Sequence, residues 1–279
     1  MAQSFRSICI MSTLLASLVL AACGGGGDGA SSTTTAPVAT ATQEPNAPQA
    51  TGNTATDGFN WFNFRRQQIG LQAMARHTAI DAAAQGHSSY QKINDVITHV
   101  QIAGNPGFTG VTTFDRLNAG GYSLPPEGYA YGEVIASTMD TSGAHAAEEL
   151  IGAIYHRFVI FEPMFKDAGA GTATVSGGYT YFTTDFGAIG LTTRLGSGKF
   201  VVYPFANQTN VPANFLSDSE DPDPVSLQNE IGYPISIHAD IDGVVNVEPG
   251  NFTVRPRGGA ALPVKLLTHE TDKEHTGPS

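Results

Sequence analysis

Residues 131–163 read YGEVIASTMDTSGAHAAEELIGAIYHRFVIFEP. The stretch opens on Gly132-Glu133, within a candidate strand or turn over residues 129–137, and runs through a segment of helical apolar spacing to Tyr155-His156-Arg157. Ser142 is placed to cap that helix, because a serine hydroxyl accepts from the free N–H groups of a first turn. Ala147, Leu150, Ile151, Ile154 and Tyr155 then share one face. Upstream, Ile97-Thr98-His99 adds a second histidine. Two imidazoles and a carboxylate that can meet in one cavity are the chemical centre this chain offers.

Working outward, Phe59, Phe62, Arg66 and Ile69 fall at helical spacing, and Gly70 can end that helix. A second helix is expected over residues 73–91, with Ile80, Ala83, Ala84, His87 and Gln91 on one face. His87 lies on that apolar stripe and is read as a hydrogen-bonded core histidine. Residues 92–100 read as a short helix or turn carrying His99, and residues 114–119 as another short helix stopped by Gly120-Gly121. Beyond Pro163 the period changes to two: residues 169–176 and 179–187 are expected strands joined at Gly177-Gly178. Helices first and an antiparallel sheet late is α+β organisation. After the linker Leu195-Gly196-Ser197-Gly198, short strands over residues 201–203, 234–240, 244–247, 251–255 and 264–267 suggest a small β-sandwich. A full sandwich takes about seven strands, so this one is expected to be incomplete.

The chain has 279 residues and a net charge of −11, which excludes binding driven by phosphate or anionic lipid charge. Arg6 followed by the apolar run 8–20 is a targeting segment too short to span a bilayer comfortably. It ends in Leu20-Ala21-Ala22-Cys23, which resembles a bacterial lipobox; Cys23 would be lipidated and become the first mature residue. Gly24 follows where an aspartate would resemble inner-membrane retention, so the expected location is the cell envelope, anchored to the outer membrane if the cell is Gram-negative. The other cysteine, Cys9, lies inside the signal, so a mature chain has no disulfide. Residues 23–56 are rich in Gly, Ser, Thr, Ala and Pro, with almost nothing large and apolar to offset the entropy of ordering. They are expected to form a disordered tether with an r.m.s. span of roughly 30 Å. The expected domains are therefore a signal over 1–22, the tether over 23–56, a first domain over 57–192 and a second over 198–279.

The first domain resembles the CAP superfamily (cysteine-rich secretory proteins, antigen 5, pathogenesis-related 1) in its bacterial SCP-domain branch. The resemblance covers roughly residues 57–190. It rests on Asn63-Phe64-Arg65-Arg66 and Gly70-Leu71, His99, Arg116 before Gly121-Tyr122, Gly132-Glu133, His156-Arg157, Gly169-Ala170-Gly171 and Asp185-Phe186-Gly187, in that order. It implies an α–β–α sandwich with a cavity lined by His99, Glu133 and His156. The sequence departs from the family at Val134, Leu150 and Ala153, where an asparagine, a tryptophan and an acid or serine respectively occur in other members. The second domain resembles the immunoglobulin-like extension of some bacterial SCP proteins, through Val201-Val202-Tyr203-Pro204, Val211-Pro212, Pro222-Asp223-Pro224 and Gly232-Tyr233-Pro234.

Two imidazoles and a carboxylate can hold zinc or another divalent metal, transfer protons, or form a buried polar network without turnover. Neither G-x-S-x-G nor H-E-x-x-H occurs in the chain. The acidic run Asp218, Glu220, Asp221 and Asp223, interrupted by Pro222, is expected to be a solvated loop. Three functions remain open: binding of a small molecule, lipid or metal in the His/Glu cavity; metal-dependent hydrolysis or peptidase action by the same residues; and adhesion through the second domain. The expected partners are the membrane, through a lipid on Cys23, and a small-molecule or lipid ligand; nucleic acid is not among them.

Overall fold

A computed structural model of the chain describes residues 44–192, 194–240, 252–268 and 270–272. The signal, Cys23 and the expected strand over residues 244–247 lie outside the described residues. Helix α1 (Thr54–Gln68) starts at Asn53, whose side chain accepts from the Thr56 N–H, and stops before Gly70, which takes φ +89°. After it come the short strand β1 (Ala75–Arg76) and helix α2 (Thr78–Asn94). Helix α3 (Thr113–Gly120) carries a capping box in which Thr112 and Asp115 satisfy each other's backbone N–H groups. Strand β2 (Tyr129–Thr138), helix α4 (Gly143–Gly152), helix α5 (Ile154–Ile160) and strands β3 (Asp167–Thr174) and β4 (Thr180–Ile189) complete the first part.

The sheet order is β1-β3-β4-β2, with β1 parallel to β3 and the other pairs antiparallel. Alternation along β4 decides what each face meets. Phe182 and Phe186 are fully buried and pack on Phe62 of α1, joined by Val134, Ile151 and Ala168. Thr183 turns to the opposite face, where Ser88 and Gln91 of α2 donate to its hydroxyl. Helices therefore cover both faces, giving the α–β–α arrangement of an α+β fold. Helix α2 lies unusually close to β3: a Cβ on Gly169 or Gly171 would come within 2.2 Å of the α2 backbone. Only glycine allows that approach.

The helix expected through residues 142–156 is two helices. Ser142 caps α4 by accepting from the His145 N–H, and Ala147, Leu150 and Ile151 are buried as expected. At Ala153 the backbone turns extended (φ −77°, ψ 125°), and α5 starts with no cap from the Ala153 side chain. The second expected helix begins later than residue 73, because residues 75–76 pair with β3. Residues 44–53, expected to be tether, are held. Glu44 pairs with Arg65 at 2.7 Å, and the Thr51 N–H and hydroxyl donate to Asp57.

Beyond residue 198, strand β5 (Phe200–Tyr203), strand β6 (Asn214–Leu216), strand β7 (Glu230–Gly232) and strand β8 (Ser236–Ala239) make two antiparallel ribbons, β5 with β8 and β6 with β7. Residues 264–267, expected to be a strand, carry none. This is a small, incomplete sheet. Val201 and Tyr203 enter the same apolar core as Phe62 and Phe186. Arg157 of α5, fully buried, donates to the Pro234 carbonyl at 2.6 Å and lies under the Tyr203 and Tyr233 rings.

Candidate functional site

Strand β2 is an edge strand of the four-stranded sheet. Groups from both faces can therefore meet past it. Glu133 projects to the face covered by α2 and α3. Its Oε2 accepts from Arg116 Nη2 of α3, and its Oε1 contacts His99 Nδ1 at 2.8 Å. Arg116, itself buried, also donates to the His99 carbonyl at 3.1 Å, so one guanidinium places both the carboxylate and the loop that bears the imidazole. From the other face, α5 brings His156. A cleft of about 120 Å³ is lined by His99, Glu133, Tyr155, His156, Val159 and Asp221. His99, Glu133 and His156 thus all line this one cleft.

The electrostatics are dominated by a second acid. Asp185 stands opposite Glu133 in the β2–β4 register and is fully buried. Among the described residues no hydrogen-bond partner reaches either of its carboxyl oxygens, and the charge beside it is that of Glu133. Two carboxylates so placed disfavour each other's ionised form. Burial first, then the Glu133 charge, push the Asp185 carboxyl well above the usual range. For Glu133, burial pushes upward, but the His99 hydrogen bond and the Arg116 charge outweigh it and hold the carboxyl below the usual range. The surroundings therefore favour the charged form of Glu133 and the neutral form of Asp185.

His87 is the core histidine expected from its stripe. Its Nε2 meets the Thr98 carbonyl at 2.7 Å and its Nδ1 meets Gln101 Nε2 at 2.9 Å. Burial pushes its imidazole below the ordinary value, which favours the neutral ring. With both nitrogens used inside the protein, it supports the loop that carries His99 and is not among the residues that line this cleft.

The sequence reading missed Glu220. The acidic run is not simply a solvated loop: Glu220 is 3% exposed. Its Oε1 meets His156 Nδ1 at 2.9 Å, and its two oxygens accept the N–H groups of Ile154, Tyr155 and His156. Asp221, next in the chain, lines the cleft. Tyr155 donates its hydroxyl to Asp272 at 2.7 Å. Tyr129 and Tyr131 stack 6.2 Å apart beside Phe114 rather than lining the cleft.

Chemically, the cleft presents two imidazoles whose Nδ1 atoms are each taken by a buried carboxylate. This carboxylate–histidine pairing orients the ring and leaves Nε2 as the outward nitrogen. Among the described residues, no cluster of three or more His, Cys, Asp or Glu stands at metal-binding spacing. Glu133 is turned toward Arg116 and His99, which removes it as a third ligand beside the two histidines. A larger hollow of about 400 Å³, lined by Pro48, Trp61, Asp140 and Ser142 among others, contains no histidine.

No family model matches the chain, and no curated protein does. Among solved structures, an extracellular protein containing a SCP domain from Bacillus anthracis is similar at 24% identity and a TM-score of 0.39, over 48% of this chain; the chain spans 39% of that protein's length. An outer surface protein from Borrelia burgdorferi is similar at 14% identity and a TM-score of 0.39, over 47% of this chain and 89% of the other. Venom allergen-like protein 4 from Schistosoma mansoni is similar at 10% identity and a TM-score of 0.33, over 52% of this chain and 92% of the other.

Proposed function

We propose that this chain is an envelope protein of the CAP/SCP type that binds a small polar ligand or a divalent cation between His99 and His156. The observation that supports this most is the matched pair of dyads, Glu133 on His99 and Glu220 on His156, at 2.8 and 2.9 Å around one cleft. Carboxylates that fix two rings at once give a ligand a preformed pair of nitrogens. Size narrows the class. Sites for drug-sized or lipid-like ligands run from roughly 300 Å³ upward, and this cleft is about 120 Å³. It suits a partly hydrated cation or a ligand of a few heavy atoms better than an acyl chain.

For a zinc-like ion the donor set fits at two positions, His99 and His156, with water completing the shell. Such an ion would act there as a Lewis acid toward a bound oxygen. The residues themselves hold the rings, keep Glu133 charged, and exclude solvent from the Arg116–Glu133–Asp185 network. Isothermal titration of the mature protein with zinc tests the reading. Binding at one site is expected, weakened at least about tenfold in both His99→Ala and His156→Ala. Equal zinc affinity in wild type and both variants would remove these residues from the site.

A further inference from the structure

We propose that Glu220 is the positioning residue for His156, delivered by the C-terminal part of the chain in place of an acid that the junction of α4 and α5 lacks. The inference deepens the proposed binding function and rests on that reading of the cleft.

Three observations meet at this side chain. Helix α5 begins at Ala153 with no side-chain cap, so its first N–H groups need an outside acceptor. Glu220 provides one: its Oε2 accepts from Ile154 N at 2.8 Å, and its Oε1 accepts from Tyr155 N at 2.7 Å and His156 N at 3.0 Å. The same Oε1 lies 2.9 Å from His156 Nδ1. An oxygen that already accepts two backbone N–H groups acts as an acceptor toward the ring as well, so Nδ1 carries the hydrogen and Nε2 keeps its lone pair. The Glu220 side chain has no exposed surface, against 16% for His156. The carboxylate is therefore behind the ring rather than competing for a ligand in front of it.

Glu220 is also held in place from its own side. A 3-10 turn (Ser217–Ser219) precedes it, its N–H donates to the Ser217 carbonyl at 3.1 Å, and the buried Ser217 donates its N–H to Asn229 at 2.7 Å. The next residue, Asp221, lines the cleft. The two dyads thus have different origins. Glu133 belongs to the four-stranded sheet, while Glu220 lies 64 positions after the ring it orients. Ligand affinity in the cleft then depends on a residue outside the α–β–α layers.

Nitrogen-detected NMR of the imidazoles in the mature chain, at about pH 8 where free imidazole is neutral, combined with zinc titration, tests this. In the wild type, His156 is expected with its hydrogen on Nδ1. Glu220→Gln keeps an oxygen for the helix N–H groups but removes the charged acceptor. It is expected to shift the His156 ring toward the other tautomer, weaken zinc binding about 10- to 100-fold, and leave the His99 ring signals in place. A wild-type His156 with its hydrogen on Nε2 overturns the proposal without any variant, which covers the case of a variant that does not fold. An unmoved tautomer in a folded Glu220→Gln protein overturns it too. If the tautomer shifts but the wild type takes no zinc, Glu220 stands as the positioning residue and the cation reading falls. If zinc binds and neither tautomer nor affinity changes in the variant, the cation reading stands and Glu220 loses its role.

Discussion

Glu133 and Asp185 face each other on paired strands, where each carboxyl's charge disfavours ionisation of the other. The His99 hydrogen bond and then the Arg116 guanidinium favour the charge on Glu133. Glu162, a partly buried acid, shows the opposite outcome. Burial raises its carboxyl to about 7, and the Met164 N–H and the Arg66 charge only partly offset this. A carboxyl raised in the folded state binds its proton more tightly there than in the unfolded chain. Its cost is absent below about pH 4.5, grows as pH rises from there to 7, and is complete above, at on the order of 3 kcal/mol. Glu162→Gln is therefore expected to raise the melting temperature at about pH 8 and to flatten the loss of stability between pH 5 and 8. Melting curves that run parallel for both proteins across that range would disprove this account. At this scale, His99, Glu133 and His156 were legible because each stands at a position with a recognisable neighbour: Gly132 before Glu133, Arg157 after His156. Glu220 was not, because an acid between Ser219 and Asp221 has the local pattern of a solvated loop, and one buried side chain leaves no periodic trace.

Among the elements, the hairpin of β3 and β4 was readable from its period of two and from Gly177-Gly178, and α3 from its stop at Gly120-Gly121. The break at Ala153 was not, because alanine is a good helix former and nothing nearby interrupts the apolar stripe. Its cause is tertiary: Glu220 takes the N–H groups that a continuous helix would have bonded internally. The C-terminal ribbons fasten the same helix from another side. Arg157 gives one N–H to the Pro234 carbonyl and packs under the rings of Tyr203 and Tyr233. Deleting everything after Leu195 strips a buried cation of these partners and also removes Val201 and Tyr203 from the core. The shortened protein is expected to melt at far lower temperature or fail to fold, as followed by circular dichroism. A fragment that melts like the whole chain would mean that the ribbons contribute nothing to the first part.

For the whole molecule, a lipid anchor is an expectation that rests on the sequence alone. The expected lipid on Cys23 predicts that Cys23→Ser moves the protein from the membrane fraction to the soluble fraction of lysed cells, read by blotting each fraction. Recovery of the variant in the membrane fraction would count against a lipid anchor. No helix among the described residues is long and apolar enough to cross a membrane. The linear pattern determined by itself the α+β class, the hairpin, the faces of α1 and α2, and three residues of the cleft. Those features depend on side-chain periodicity and on short-range backbone chemistry, both written along the chain. Only the tertiary structure decided that β2 lies at an edge, so that His156 can meet Glu133 around it. It also decided that Asp185 is buried against Glu133, and that the acid at residue 220 reaches His156. These depend on which strands become neighbours and on which loop packs over a helix end, and such long-range pairings leave no local signal in sequence.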